Sequence, residues 1–299
     1  MRPERQFPAR QAGATRRIAV IGATGMLGQP VTSALVDAGL RVTALTRNPE
    51  QAKLVLPARA KIAVADARDE DSLRRGMAGH DGLYLNLAIA PGDRREDFHT
   101  EQQGLAHILA AARASGIRRI GYVSAMVHDT DDDDWWVIQI WREAIARIKA
   151  SGIPYTIFYP TNFMETLPQR HMMGGALVLP GKAHYANYWI AGRDFGRQVA
   201  RAFQLPQAAN REYAIQGPEP MSYEEAAYRY AQALPVPPRV VKVPLGLIRL
   251  AGHFSRSHDY NARIMQTVLD YYETFRASEA WDELGRPTTT IEEFARLRS

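Results

Sequence analysis

The stretch from Arg17 to Gly28, RIAVIGATGMLG, constrains this chain more than any other. A short apolar run breaks into glycines at Gly22, Gly25 and Gly28, after which helix-compatible sequence resumes. Ile18 to Ile21 suits a parallel strand buried on both faces, and Gly22 lets the chain turn where a Cβ would collide. Gly25 clears the place where backbone amides must approach a pyrophosphate, at the positive end of the following helix. Gly28 allows that helix to pack closely on the strand. The pattern is that of a dinucleotide-binding βαβ turn, although glycines at this spacing also make ligand-free strand-to-helix turns.

The context favours the dinucleotide reading. Strands are expected at Arg17 to Ile21, Arg41 to Thr46, Lys61 to Ala65, Gly82 to Ala88, Arg119 to Ser124 and Tyr155 to Tyr159, separated by segments with helical apolar spacing. Gly39, Gly79, Gly116 and Gly152 each stand where a helix should stop in a left-handed cap. The expected fold class is α/β, a doubly wound parallel (Rossmann) sheet over residues 17–160. Residues 161–299 should form a smaller, mostly helical lobe that holds the substrate and lends segments to the sheet. Within it, Ser222 with Glu225 and Thr290 with Glu293 read as capping boxes.

Residues 1–16 carry arginines without an apolar core and are expected to be a disordered tail rather than a secretory leader. No window is long and apolar enough to span a membrane, so a cytoplasmic protein is expected. The chain has no cysteine, which removes disulfides and thiol catalysis. A net charge of +5, spread along helices, gives no nucleic-acid footprint. The histidines show no paired ligand spacing, and consecutive aspartates among Asp129, Asp131, Asp132, Asp133 and Asp134 cannot converge on one ion, so no metal site is expected. That acidic loop is read as solvated, with Asp134 capping the next helix.

The end of the second strand separates the two nicotinamide cofactors. NAD-binding folds place a carboxylate there for the ribose 2′-hydroxyl, whereas this chain has Thr46, Arg47 and Asn48. Arg47 can pair with a 2′-phosphate, so NADP(H) is favoured over NAD(H); a solvated arginine is the plainer alternative. Asp66, ending the third strand, either accepts from an adenine amino group or caps the helix near Asp69.

Taken together, GATGMLG at Gly22 to Gly28, TRNP at Thr46 to Pro49, VADARDEDSL at Val64 to Leu73, GYVSA at Gly121 to Ala125 and SGIPYTIFYPTNFME at Ser151 to Glu165 resemble the NmrA-like, NAD(P)H-binding branch of the atypical short-chain dehydrogenase/reductases. The resemblance implies NADP(H) or NAD(H) bound along the strand C-termini, in proteins that are either reductases or redox-sensing regulators. Expected cofactor contacts are Gly22, Thr24, Gly25, Met26, Leu27, Gly28, Arg47, Asn48, Asp66, Ala67, Leu87, Ala88, Ser124, Gln139, Tyr159 and Asn162. The wider superfamily's catalytic Tyr and Lys fall here on Trp135 and Gln139, and its usual Ser on Met126, so the proton-relay set is missing. Some quinone reductases of the branch also lack the Tyr-Lys pair.

The expected function is therefore NADPH-dependent reduction of a small, largely apolar electrophile, such as a quinone, conjugated carbonyl or imine. Substitute acids are sought in His128, Tyr159 and His184, with His128 and Tyr159 as the catalytic candidates. The substrate pocket is expected from Met126, Trp135, Phe163, Met164, Tyr185 and Trp189; Trp135, Trp136 and Trp141 could equally pack beneath the acidic loop. The alternatives are a non-catalytic NADP(H) sensor that signals to a partner and a structural subunit. A small-molecule substrate is the expected partner, with no nucleic acid and no membrane, and a homodimer is compatible with the sequence.

Overall fold

A computed structural model describes residues 15–130 and 134–297. Residues 1–14 and the aspartates Asp131, Asp132 and Asp133 lie outside the described residues, and with them most of the expected tail and part of the acidic loop. The fold begins earlier than Arg17: Thr15 is buried, and its amide and hydroxyl both donate to the Phe203 carbonyl.

The first half alternates strand and helix. In chain order it runs β1 (Arg17–Ile21), α1 (Gly28–Asp37), β2 (Arg41–Thr46), α2 (Pro49–Val55), β3 (Lys61–Val64), α3 (Glu70–Met77) and β4 (Gly82–Leu85). It continues with α4 (Leu105–Ala114), β5 (Arg119–Val123), α5 (Trp136–Lys149) and β6 (Tyr155–Pro160). Gly39, Gly79, Gly116 and Gly152 all have positive φ, between 73° and 80°, where a side chain would be strained. Each stands just past a helix and turns the chain back toward the sheet.

The second half supplies β7 (Asn162–Phe163), β8 (Met172–Met173), β9 (Ala176–Pro180), β10 (Asn187–Ile190), α6 (Gly192–Gln204), β11 (Arg211–Ile215) and β12 (Pro220–Met221). After these come α7 (Tyr223–Ala233), β13 (Arg239–Val243), α8 (Leu245–Gly252), α9 (Arg256–Asp270), α10 (Ser278–Leu284) and α11 (Ile291–Arg296). The central sheet is parallel, in the order β11-β6-β5-β4-β1-β2-β3, so β11 returns from the second half to extend the edge beside β6. Strand order reverses between β1 and β4, the switch point where open α/β sheets bind ligands. Two small three-stranded sheets, β12-β10-β7 and β13-β9-β8, accompany the helices of the lobe.

Separate apolar cores cover the two faces of the central sheet. Ile18, Val20, Val42 and Ala44 face α1 and α6, while Ala19, Leu83, Leu85 and Ile120 face α3, α4 and α5. This two-sided burial explains why these strands read as continuous apolar runs. The NFME segment also has a structural role: buried Glu165 accepts the Gly192 amide at 2.9 and 3.0 Å, satisfying the first turn of α6. Ser222 and Thr290 cap α7 and α11 by accepting from the amides of Glu225 and Glu293. Asp134 does not cap α5. The N-cap is Trp135, which makes no side-chain cap bond and is drawn into a core with Ile89 and Ile138. No described helix is long and apolar enough to cross a membrane.

Candidate functional site

A cleft of about 770 Å³ opens over the C-terminal ends of β1, β2, β3 and β4. Its floor is the glycine turn. Gly22 has φ of 80°, and a Cβ there would stand 2.0 Å from the Asn86 carbonyl oxygen, so β1 and the segment after β4 meet in a way only glycine permits. A Cβ at Gly28 would stand 2.0 Å from the Gly22 carbonyl oxygen. Gly25 is less crowded, with Asn86 Nδ2 at 3.3 Å from the position of its missing Cβ. Asn86 braces the turn through its amide, which donates to Ile21, and its Nδ2, which donates to the Gly22 carbonyl at 3.2 Å.

Of the expected cofactor contacts, Gly22, Thr24, Arg47, Asn48, Asp66, Ala67, Leu87 and Ala88 line this cleft. Leu87 and Ala88 reach it because β4 stops at Leu85, three residues before the expected end, and the chain leaves the sheet there. Arg47 is exposed at the end of β2, and Asn48 caps α2 by accepting from the Gln51 amide. The helix after β3 is capped by Asp69, which accepts from the Ser72 amide, so the capping alternative for Asp66 does not hold. Asp66 accepts instead from the Arg68 amide at 2.9 Å, inside the cleft. Gly25, Met26, Leu27 and Gly28 belong to the turn and the start of α1, outside the cleft lining; Ser124, Gln139, Tyr159 and Asn162 lie outside it as well.

Several lining residues were not singled out from the sequence: Asn86, Gln51, Arg68, Asp93, Phe98 and Thr100. Arg68 stacks over the Phe98 ring at 4.2 Å, joining the β3–α3 loop to the segment that leads into a π-helical turn at Thr100–Gly104. An asparagine interrupting the apolar run LYLNLAIA was the available signal for Asn86. Arg68 and Phe98 are far apart in sequence and gave none.

The expected reaction half is arranged differently. Trp135 is 2% exposed and packs edge-on to Tyr260. Gln139 accepts from Arg95 Nη2 at 3.1 Å. His128 and Tyr159 are stacked, 4.2 Å between centroids. The His128 Nδ1 contacts the Ala125 carbonyl at 2.9 Å, and burial lowers its pKa, which favours a neutral ring with the proton on Nδ1. Tyr159 Oη donates to Glu212 Oε2 at 2.6 Å, and Lys149 pairs with Glu212 Oε1 at 2.7 Å. Burial, followed by Glu212, pushes the Tyr159 phenol far above its ordinary pKa. His184 is remote, paired with Asp270 beside α9.

The expected substrate-pocket residues do not converge at the cleft. Phe163 packs with Phe195 in the core under α1, Met164 and Trp189 in the core of the second lobe, and Trp135 under α9. Met126 is buried, and Tyr185 is exposed against Tyr272. Except for the exposed Tyr185, these positions are buried, but their buried faces meet other parts of this chain.

Over residues 22–178 the sequence matches a family model described as NAD(P)H-binding. The chain is 28% identical over 240 residues to the (4-alkanoyl-5-oxo-2,5-dihydrofuran-3-yl)methyl phosphate reductase of Streptomyces griseus subsp. griseus, a match covering 78% of this chain and 79% of that protein. It is 25% identical over 290 residues to the NAD(P)H azoreductase of Xenophilus azovorans, covering 94% and 98% respectively. Among solved structures, the NADPH-dependent quinone oxidoreductase of Escherichia coli complexed with NADPH superimposes with a TM-score of 0.70 at 21% identity, over 94% of this chain and 99% of that one.

Proposed function

Because the chain belongs to the NAD(P)H-binding family, we propose that it is an NADPH-dependent oxidoreductase acting on a small, largely apolar electrophile such as a quinone, conjugated carbonyl or imine. The observation that carries the cofactor half is the cleft itself: an exposed Arg47 at the end of β2, with no carboxylate beside it at Thr46 or Asn48. A 2′-phosphate finds a charge-assisted partner there, and the ribose carboxylate typical of NAD sites is absent. The cleft volume also suits a dinucleotide.

In this reading the backbone of the glycine turn and the start of α1 hold the pyrophosphate. Asp66 stands where an adenine amino group would donate to it, and Leu87 and Ala88 form the apolar wall toward the reacting end. The bound cofactor supplies the hydride. The chain's own task is to exclude water and orient the acceptor. His128 keeps its proton on Nδ1 against a carbonyl, and Tyr159 donates into Glu212. Solvent therefore supplies the proton, which restricts the substrate to acceptors that do not need acid activation. The names of the relatives, reductases of a butenolide phosphate, azo compounds and a quinone, support that class of acceptor.

The test is purified protein with NADPH and a panel of quinones, enones, imines, azo compounds and simple aldehydes, followed by NADPH oxidation at 340 nm. Turnover of quinones or conjugated acceptors above the uncatalysed rate, with little on aliphatic aldehydes, is expected. Tight NADPH binding without turnover of any acceptor would overturn the reading in favour of a sensor.

A further inference from the structure

At the edge of the sheet opposite the cofactor cleft, a second concavity of about 530 Å³ opens over the N-terminal ends of β1, β2 and β3. Four cations line it, Arg17, Arg41, Arg59 and Lys61, together with His80, and no carboxylate is among its lining residues. Strand register explains the convergence. Arg17 lies opposite Arg41 in the β1–β2 ladder, and Thr43 lies opposite Lys61 in the β2–β3 ladder. Paired residues of parallel strands share a face, as do Arg41 and Thr43 two positions apart. Three cations therefore project from one face of three adjacent strands, about 5 Å from strand to strand.

Such an arrangement is not explained by stability, since like charges on neighbouring strands repel. The acids nearby already have partners, one of them Arg59 of this pocket. Asp37 pairs with Arg59 at 2.9 Å. Asp81 Oδ1 accepts the backbone amides of Arg16 and Arg17, and its Oδ2 faces Arg118. Neutral hydrogen-bonding groups complete the wall: His80 Nε2 meets Thr43 Oγ1 at 2.9 Å. Gly79, at φ of 73°, leaves room for the Arg17 guanidinium, whose Nη1 would stand 3.7 Å from a Cβ there.

We propose that this basal pocket binds a compact polyanion of the pyrophosphate class, at a site separate from the dinucleotide cleft. Three cations without carboxylate partners among the described residues, set across three strands, call for about three negative charges on one small ligand. Phosphoryl groups match arginine pairs better than a single carboxylate does. The site stands or falls independently of the proposed reductase activity.

Isothermal titration of the full chain with inorganic pyrophosphate, at roughly physiological salt and with the cleft saturated by NADP+, tests it. One binding site in the millimolar range or tighter is expected. The double variant Arg41→Gln/Lys61→Gln should weaken it at least tenfold while melting as the wild type does, because both side chains are solvent-exposed. Arg47→Glu, measured without cofactor, should still bind pyrophosphate in this pocket. No binding by the wild type, equal binding by the double variant, or binding abolished by Arg47→Glu would each overturn the proposal; the last would show that only the cofactor cleft takes phosphate.

Discussion

Arg47→Glu reverses the charge where the cofactor assignment rests. Arg47 lines the cleft, is exposed, and has no carboxylate partner among the described residues, so its replacement breaks no internal ion pair. A charge-assisted contact to a 2′-phosphate contributes about 1.5–3 kcal/mol. A glutamate in its place adds repulsion against a phosphate dianion, of order 1 kcal/mol at a few ångströms in a solvated cleft. Together these amount to about 2.5–4 kcal/mol, or a loss of roughly 70- to 900-fold in NADPH affinity. NADH has no 2′-phosphate, and the new carboxylate can accept from its ribose hydroxyl, so NADH binding should hold or improve. Fluorescence titration of both cofactors measures the ratio, and thermal melting should show stability within about 0.5 kcal/mol of wild type, as for other exposed substitutions. If the NADPH to NADH preference is unchanged, Arg47 does not read the phosphate and the assignment of NADP(H) fails.

Three further substitutions probe the site and its supports. Gly28→Ala forces a methyl toward the Gly22 carbonyl in a turn where both contacts are backbone; a destabilisation of about 1–3 kcal/mol with lost cofactor binding is expected, and a wild-type melt with full binding would contradict the packing argument. Buried Glu101, held by the Tyr122 hydroxyl at 3.0 Å, is pushed up by burial to about 7. With its folded value raised above the unfolded one, its contribution is present below pH 4.5 and is lost as pH rises to about 7, a cost of about 3 kcal/mol. Glu101→Gln should therefore gain on wild type in urea melts at pH 8 but not at pH 4.5, and parallel pH profiles would refute it. Tyr159→Phe should leave turnover within about threefold, because the phenol donates to Glu212 rather than to a substrate; a drop of a hundredfold or more would restore Tyr159 as an acid.

The parts of this fold that could be read from sequence are those fixed locally. β1 and β2 end where their apolar runs and turn residues end, and the four helix stops fall on glycines that must adopt positive φ. Capping by Ser222 and Thr290 was equally legible, because donor and acceptor lie three residues apart. What could not be read depends on distant partners. Trp189 and Met164 look alike in one dimension whether they line a pocket or fill a core, and α7 and α11 decide for the core. Arg119 reads as a charged strand end, yet it is 1% exposed and donates to the carbonyls of Ala202, Leu205 and Pro206, all more than eighty positions away. The Arg68–Phe98 stack in the cleft was hidden for the same reason.

The same division bears on the chemistry. The candidate cofactor cleft is built from one turn and the loops after neighbouring strands, so Gly22, Arg47, Asp66 and Leu87 follow from the strand pattern, whereas Arg68 and Phe98 do not. The reaction half would normally depend on α5, where a lysine lowers the pKa of a tyrosine one turn away. Here Trp135, the N-cap of α5, turns into a core and Gln139 meets Arg95, while burial, followed by Glu212, raises the pKa of Tyr159. General acid catalysis contributes roughly a hundredfold to ten-thousandfold in rate, so an oxidoreductase working without it, as proposed here, competes poorly for unactivated ketones. A quinone, imine or conjugated carbonyl needs less help, because charge from the incoming hydride is delocalised over the acceptor and can wait for a solvent proton. On the proposed function, the replacement of the Tyr-Lys pair by Trp135 and Gln139 favours such acceptors by electronics, independently of the shape of any pocket.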